Sequence, residues 1–234
     1  MVLEGRLVYQ GPGLAITTRA MTATMHQMNM HTDNIAHFGL PGYHRKMPVV
    51  NSFVEFLGAN AIDEATSNEI GRIRRTDNPL DMALNTQGYF QKVGDDGRID
   101  VTRDGRMTLN AKGYLLSVDG KHVLSTQGLP IKFPFIPNHL KDDVRVSEHG
   151  EISLFDPDSG RQLKIATINV VQPDGTPVTD VDMRQGHVED SNVFLQHEFT
   201  RLAPLRRQFE ANRQLFLIQS DNLSRTIQEL GRAQ

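Results

Sequence analysis

Large apolar residues recur every seven positions at both ends of this chain. Near the N-terminus the row is Leu14, Met21, Met28 and Ile35, with Ala20, Ala23 and Met25 beside it. Pro12 and Gly13 precede the row, and Gly39, Pro41 and Gly42 follow it. Proline before and glycine after are the usual punctuation of a helix. The spacing predicts an amphipathic helix over residues 14–36, with residues 1–13 as an extension in front of it. Near the C-terminus Leu195, Leu202, Phe209, Phe216, Leu223 and Leu230 form an unbroken row, which predicts a second helix over 193–231. A companion row four residues on reads Phe199, Arg206, Arg213, Ser220 and Ile227. It is too mixed for a two-stranded coiled coil, which wants both rows apolar. Leu215-Phe216-Leu217-Ile218 is apolar on every side of the helix, so that turn calls for more than one neighbour. Pro204 removes a backbone donor and is expected to kink or divide the helix.

The middle of the chain has a different rhythm. Asp96-Gly97, Asp104-Gly105, Lys112-Gly113, Asp119-Gly120, Gln127-Gly128, His149-Gly150, Ser159-Gly160 and Asp174-Gly175 punctuate it. Short runs of β-forming residues lie between them, such as Leu115-Leu116-Ser117-Val118 and Ile165 to Val171. Regular turns between short alternating runs indicate antiparallel strands. The fold class is therefore mainly β, a central antiparallel β domain with long terminal α-helices. The divisions read as an N-terminal extension over 1–13, a helix and following loop over 14–68, a β domain over 69–182 and a C-terminal helix region over 183–234. Two long helices at opposite ends of a chain can pack on one another.

Composition removes several classes of function. The chain of 234 residues carries a net charge of −3, an overall balance that argues against binding nucleic acid through its phosphates but leaves a local basic patch open. It has no cysteine, so disulfides, thiol nucleophiles and Cys-based zinc sites are excluded. No apolar run approaches the ~18 residues needed to span a membrane, and Met1 to Tyr9 lacks the basic leader and apolar core of a secretory signal.

Candidate chemistry is sparse. His26, His31, His37 and His44 are spaced by five, six and seven residues, not the three or four that put two ligands on one helix face. They read as surface or interface histidines. His197-Glu198 lacks the second histidine of a helical zinc motif. Asp95-Asp96-Gly97 and Asp156-Pro157-Asp158-Ser159-Gly160 lack the alternating acidic ligands and closing glutamate of a calcium loop, and read as turns. No phosphate-binding loop, dinucleotide fingerprint or nucleophile elbow is present. No catalytic residue, metal or cofactor is assigned.

Several stretches, in order, resemble the flagellar rod and hook protein family. Thr76-Asp77-Asn78-Pro79-Leu80-Asp81-Met82-Ala83-Leu84, followed by Gly88-Tyr89-Phe90-Gln91, is similar to the family's TGNPLDLAI…GFFQV signature. Thr102-Arg103-Asp104-Gly105-Arg106 through Leu115 is similar to its YTRDG…LNxxGYLV stretch. Arg184-Gln185-Gly186-His187-Val188-Glu189-Asp190-Ser191-Asn192-Val193 resembles RQGYLEGSNV, and Glu210-Ala211-Asn212 resembles the end of QRAYEAN. Asp33-Asn34-Ile35-Ala36 and Gly42-Tyr43-His44-Arg45 resemble a divergent NNLANxxTxGFKR. The motif positions carried over are Asn34, Gly42, Asn78, Pro79, Leu80, Asp81, Arg103, Gly105, Ser191, Asn192, Glu210 and Asn212.

The resemblance implies a non-enzymatic structural subunit of the basal-body rod, used in motility. Its terminal helices would pair as the axial, coiled-coil-like inner layer of a tube, with the β domain outside. Leu14, Met21, Met28, Ile35, Leu195, Phe199, Leu202, Phe209, Phe216, Leu223, Ile227 and Leu230 would be the assembly interface. The implied partners are further copies, other rod, hook and ring proteins, and the flagellar type III export apparatus, with no nucleic acid and no direct membrane insertion. The implied location is the periplasmic rod, reached without a cleaved signal. A hook subunit of the same family, a carbohydrate-cleaving β-domain enzyme and a binding module on a helical stalk are the alternatives.

Overall fold

The computed structural model describes residues 2–50, 62–137, 140–157 and 160–232. The chain forms two compact units. The first comprises Met1–Ala36, Arg45–Ser67 and Val193–Gln234; the second comprises His37–His44 and Asn68–Asn192.

The first unit holds the two long helices. α1 runs Val2–His37. It does not open at Leu14, as Pro12 and Gly13 suggested. Both lie inside it, and residues 2–13 are helix, not an extension. An interior proline costs the ladder one hydrogen bond, which a helix continuing on both sides tolerates as a local loss. The C-terminal helix spans Leu195–Arg232 without division at Pro204, and is labelled α3 below. Between the helices in sequence lies an antiparallel hairpin of β1 (Lys46–Val50) and β2 (Ile62–Thr66), paired from Lys46↔Thr66 to Val50↔Ile62.

The second unit is antiparallel β throughout. Its largest sheet is built from β5 (Tyr89–Val93), β6 (Ile99–Thr102), β7 (Met107–Leu109), β8 (Leu115–Ser117), β9 (His122–Val123) and β13 (Val170–Val171). The strand order is β13-β5-β9-β8-β7, with β6 also paired to β5. A one-turn helix, α2 (Leu140–Asp143), leads into a three-stranded meander of β10 (Val144–Val146), β11 (Glu151–Asp156) and β12 (Arg161–Thr167). Burial alternates along β11: Ile152 and Leu154 point into the core while Glu151 and Phe155 are exposed. That is the period of two expected of a half-covered strand. The core gathers Leu80, Met82, Leu84, Phe90, Leu115, Phe133, Ile152, Leu154, Ile168 and Met183.

Two short ladders close the unit. β3 (Ile73–Arg75) pairs with β15 (His187–Glu189), and β4 (Met82–Leu84) with β14 (Met183–Gln185). Residues 183–189, read from sequence as part of the C-terminal helix region, therefore belong with the β unit. Three-residue strands are too short to show a period, so only pairing identifies them. The turns were better marked. Gly97, Gly113, Gly120, Gly128, Gly150, Gly160 and Gly175 all take positive φ, the backbone region that admits glycine most readily. Asp158 and Ser159 of the second acidic turn lie outside the described residues.

Candidate assembly surface and buried motif clusters

On α3 the heptad row Leu195, Leu202, Phe209, Phe216, Leu223 and Leu230 is half-buried, not buried. The row that shares its face is Glu198, Leu205, Asn212, Gln219 and Thr226, three residues on. The sequence pattern pointed instead to the row four residues on. Phe199 and Ile227 of that row are 57% and 56% exposed, and Arg206, Arg213 and Ser220 are exposed as well. Glu198 is the one residue of α3 that is buried.

α1 presents the same arrangement. Leu14, Met21, Met28 and Ile35 are half-buried, while Thr17, Thr24 and His31, again three residues on, are buried. These polar positions are satisfied locally or by α3. Thr24 Oγ1 donates to Ala20 O at 2.7 Å. Thr17 Oγ1 lies 3.0 Å from Gly13 O and 3.2 Å from Gln219 Oε1. The helices are antiparallel neighbours, with Thr17 near Gln219 at one end and His31 near Glu198 at the other.

At that second end Glu198 is fully buried and accepts at Oε2 from His31 Nδ1 at 2.5 Å and from Asn34 Nδ2 at 3.2 Å. Arg45 Nη1 stands 3.7 Å from Glu198 Oε1. Asn34 also clamps the start of β1, donating to Lys46 O and accepting from Lys46 N, both at 2.9 Å. Its amide reproduces a backbone pair, which aspartate could not do with two acceptor oxygens.

The β unit has its own buried pair. Arg103 Nε donates to Glu189 Oε2 at 2.5 Å. Its other nitrogens donate to Thr86 O, Gly88 O and Leu84 O at 2.7, 2.5 and 2.8 Å. Glu189 Oε1 accepts from His44 Nε2 at 2.9 Å and Gly71 N at 2.8 Å. Burial pushes the Glu189 carboxyl up, but His44, Arg103 and the Gly71 amide outweigh it and hold the group below its ordinary value. Burial also raises the nearby Tyr89 phenol, with Arg103 opposing and Glu189 adding.

Other motif positions build the same neighbourhood. Gly42 donates to Glu189 O at 2.7 Å and has φ +69; a Cβ there would meet Asp104 N at 2.3 Å. A Cβ on Gly105 would sit 1.5 Å from Met82 O. Asn78 Nδ2 donates to Asp81 Oδ1 at 2.8 Å, Pro79 O accepts from Gln185 Nε2 at 2.8 Å, and Leu80 enters the core. Asn192 Nδ2 donates to Glu69 O at 2.7 Å, next to half-buried Ser191. Glu210 is exposed and paired with Arg213, and Asn212 lies on the α1-facing row.

Glu189, His44, His31 and Glu198 are the residues that motif and spacing arguments missed. The two histidines, read from sequence as surface or interface residues, are buried, because each meets a carboxylate far away in sequence. Glu189 lay within a stretch that resembled the family. Glu198 drew notice only beside His197, as an incomplete zinc motif, and nothing local pointed to its partners on α1. Among the described residues no group of three or more His, Cys, Asp or Glu is placed to hold a metal ion, and no helix is long and apolar enough to cross a membrane.

Residues 83–154 match the family described as "Flagellar hook protein FlgE/F/G D1 domain". The flagellar basal-body rod protein FlgF of Mesorhizobium japonicum is 27% identical over 235 residues, covering 93% of this chain and 97% of that protein. FlgF of Caulobacter vibrioides is 34% identical over 154 residues, 60% of this chain and 61% of its own length. The rod protein FlgG of Buchnera aphidicola subsp. Schizaphis graminum is 22% identical over 249 residues, 86% and 93% of the two chains.

Proposed function

We propose, from its homology to flagellar basal-body rod proteins, that this chain is a non-enzymatic structural subunit of the bacterial flagellar rod. It polymerises through its terminal helices with further copies and with other rod, hook and ring proteins. The observation that carries this reading is the state of α3: a helix of 38 residues whose one buried residue is Glu198, while its leucine and phenylalanine row stays half open. Each such side chain gains roughly 1.5–3 kcal/mol on full burial. Neighbours in an assembly supply that burial; one partner helix within the chain leaves it incomplete. The row Leu14 to Ile35 on α1, the row Leu195 to Leu230 on α3, and exposed Phe199 and Ile227 form the assembly interface. Phe199 and Ile227 serve contacts to neighbours, since they point away from α1-facing positions.

Rod subunits act in the periplasm, and this one reaches it through the flagellar type III export apparatus. The test is deletion of the gene, followed by electron microscopy of basal bodies and a swimming assay. A truncated or missing rod with loss of swimming is the expected result. Complete, rotating flagella would overturn the proposal. A filament that stops beyond an intact rod would instead favour a hook subunit of the same family.

A further inference from the structure

His44, part of the buried Arg103–Glu189 cluster, has a polar atom to spare. Its side chain is 6% exposed, and its Nε2 donates to Glu189 Oε1 at 2.9 Å. The other ring nitrogen, Nδ1, is buried and has no hydrogen-bond partner among the described residues. A neutral ring that donates from Nε2 carries a lone pair on Nδ1, and a charged ring carries a second N–H there. In either form a buried polar atom left unpaired is costly.

The same residue lines a cavity of about 40 Å³ in the β unit, with Asn68, Gly88, Tyr89, Arg103 and Gln172 among its other walls. Since Nε2 is turned to Glu189, Nδ1 is the ring nitrogen left for that space. Roughly 10–15 Å³ is enough for one water molecule, which asks for about two to four polar partners. The walls offer them. Tyr89 brings a phenol, and Asn68 and Gln172 bring side-chain amides; all three can donate and accept. The Tyr89 and His44 rings stand 6.0 Å apart, tilted by 56°, so both border the same small space. Other guests fit worse. An anion would need a free positive charge, and Arg103 is already matched by Glu189 at 2.5 Å and donates to three carbonyls besides. A metal ion would need more than one histidine nitrogen, and no group of three His, Cys, Asp or Glu is placed to hold one among the described residues. An apolar guest would cover Nδ1 without bonding to it.

We propose that this cavity is a binding site for an ordered water, which hydrogen-bonds His44 Nδ1 and so holds the ring turned to Glu189. Water serves either form of the ring, because it both donates and accepts. Bound there, it completes the hydrogen bonding of residues 42–44 against β15, where Gly42 N already donates to Glu189 O at 2.7 Å. Such a bridge is nearly as good enthalpically as a direct hydrogen bond. The site is independent of the rod reading, and its failure would leave that reading untouched.

The probe is water itself, followed by NMR of the full chain labelled with carbon-13 and nitrogen-15 in histidine. The Hε1 proton of His44 sits on the carbon between the two ring nitrogens. It should show a nuclear Overhauser cross-peak to water with the sign of a molecule that tumbles as slowly as the protein. His44→Gln removes that resonance and so assigns it. Tyr89→Phe should keep the cross-peak, because Nδ1 and the amides still hold the water. The Nδ1 nitrogen shift should stay fixed while chloride or inorganic phosphate is titrated in. Absence of the cross-peak in the parent chain, or the opposite sign given by fast surface water, overturns the proposal. Loss of the peak in Tyr89→Phe also overturns it, since the signal then comes from the phenol proton. A saturable Nδ1 shift with either anion overturns it as well, since the guest is then an anion and not water.

Discussion

Arg103 and Glu189 meet at 2.5 Å where their side chains are 1% and 0% exposed. Removing one partner of a buried, hydrogen-bonded ion pair strands the other charge, at a cost of roughly 3–5 kcal/mol. Arg103→Met should show that loss in urea unfolding, because Glu189 and the carbonyls of Leu84, Thr86 and Gly88 all lose a donor. Arg103→Lys should recover little of it, since one ammonium cannot reproduce the planar fork. A small effect from Arg103→Met would show that the pair does not hold the unit together.

The same carboxyl sets a pH dependence. Its folded pKa is depressed below its ordinary 4.5. Its contribution is therefore fully present above the unfolded value and is lost as pH falls through the folded one. Unfolding midpoints measured between pH 7 and pH 3 should fall on the acid side. Glu189→Gln should be less stable at pH 7 and show a shallower acid decline. An unchanged slope in that variant would remove Glu189 from the account.

His31 and Glu198 test whether a buried polar contact or its mere volume joins the helices. His31→Leu alone should cost about 3 kcal/mol, because Glu198 loses its shortest partner in a buried site. Adding Glu198→Leu should return stability to within about 1 kcal/mol of the parent, since apolar replacement of a whole buried pair is often neutral. Unfolding of the four variants gives the coupling energy. Additive losses would mean the two side chains act independently.

Asp77 holds φ +61, a conformation that costs an L-residue roughly 1–2 kcal/mol. The signature it resembles has glycine there. Asp77→Gly should stabilise by about 0.5–1 kcal/mol, net of its exposed contact to Arg75 at 2.6 Å. Asp77→Val should destabilise by about 2 kcal/mol, because a β-branched side chain suits this region worst. Melting temperatures in the order valine, aspartate, glycine are expected, and the reverse order would refute the strain.

Sparse burial should make α3 exchange its amides faster than the core strands. In the isolated chain, residues 199–230 should lose protection before β5 and β11 do. Pro204→Ala restores a donor to the helix interior, where proline is up to about 3 kcal/mol worse than alanine, and should slow that exchange. Protection of α3 equal to that of β11 would mean the helix needs no neighbours.

By itself the sequence determined the order helix, β domain, helix. Heptads, strand alternation and glycine turns are local patterns, legible wherever side chains one or two turns apart share a face. It also marked Arg103, Gly42 and Gly105 through their resemblance to a family. Only tertiary structure decided what those residues do. Arg103 needs Glu189 from 86 positions away, and Gly105 is required because Met82 O sits where its Cβ would be. The helix start at Val2, the strands at 183–189 and the α1-facing row of α3 were hidden for the same reason. The rows three and four residues on from a heptad position lie on either side of it, and the periodicity is equal for both. Which side turns inward is chosen by the neighbour that packs there, and here that neighbour is α1, with His31 closing on Glu198.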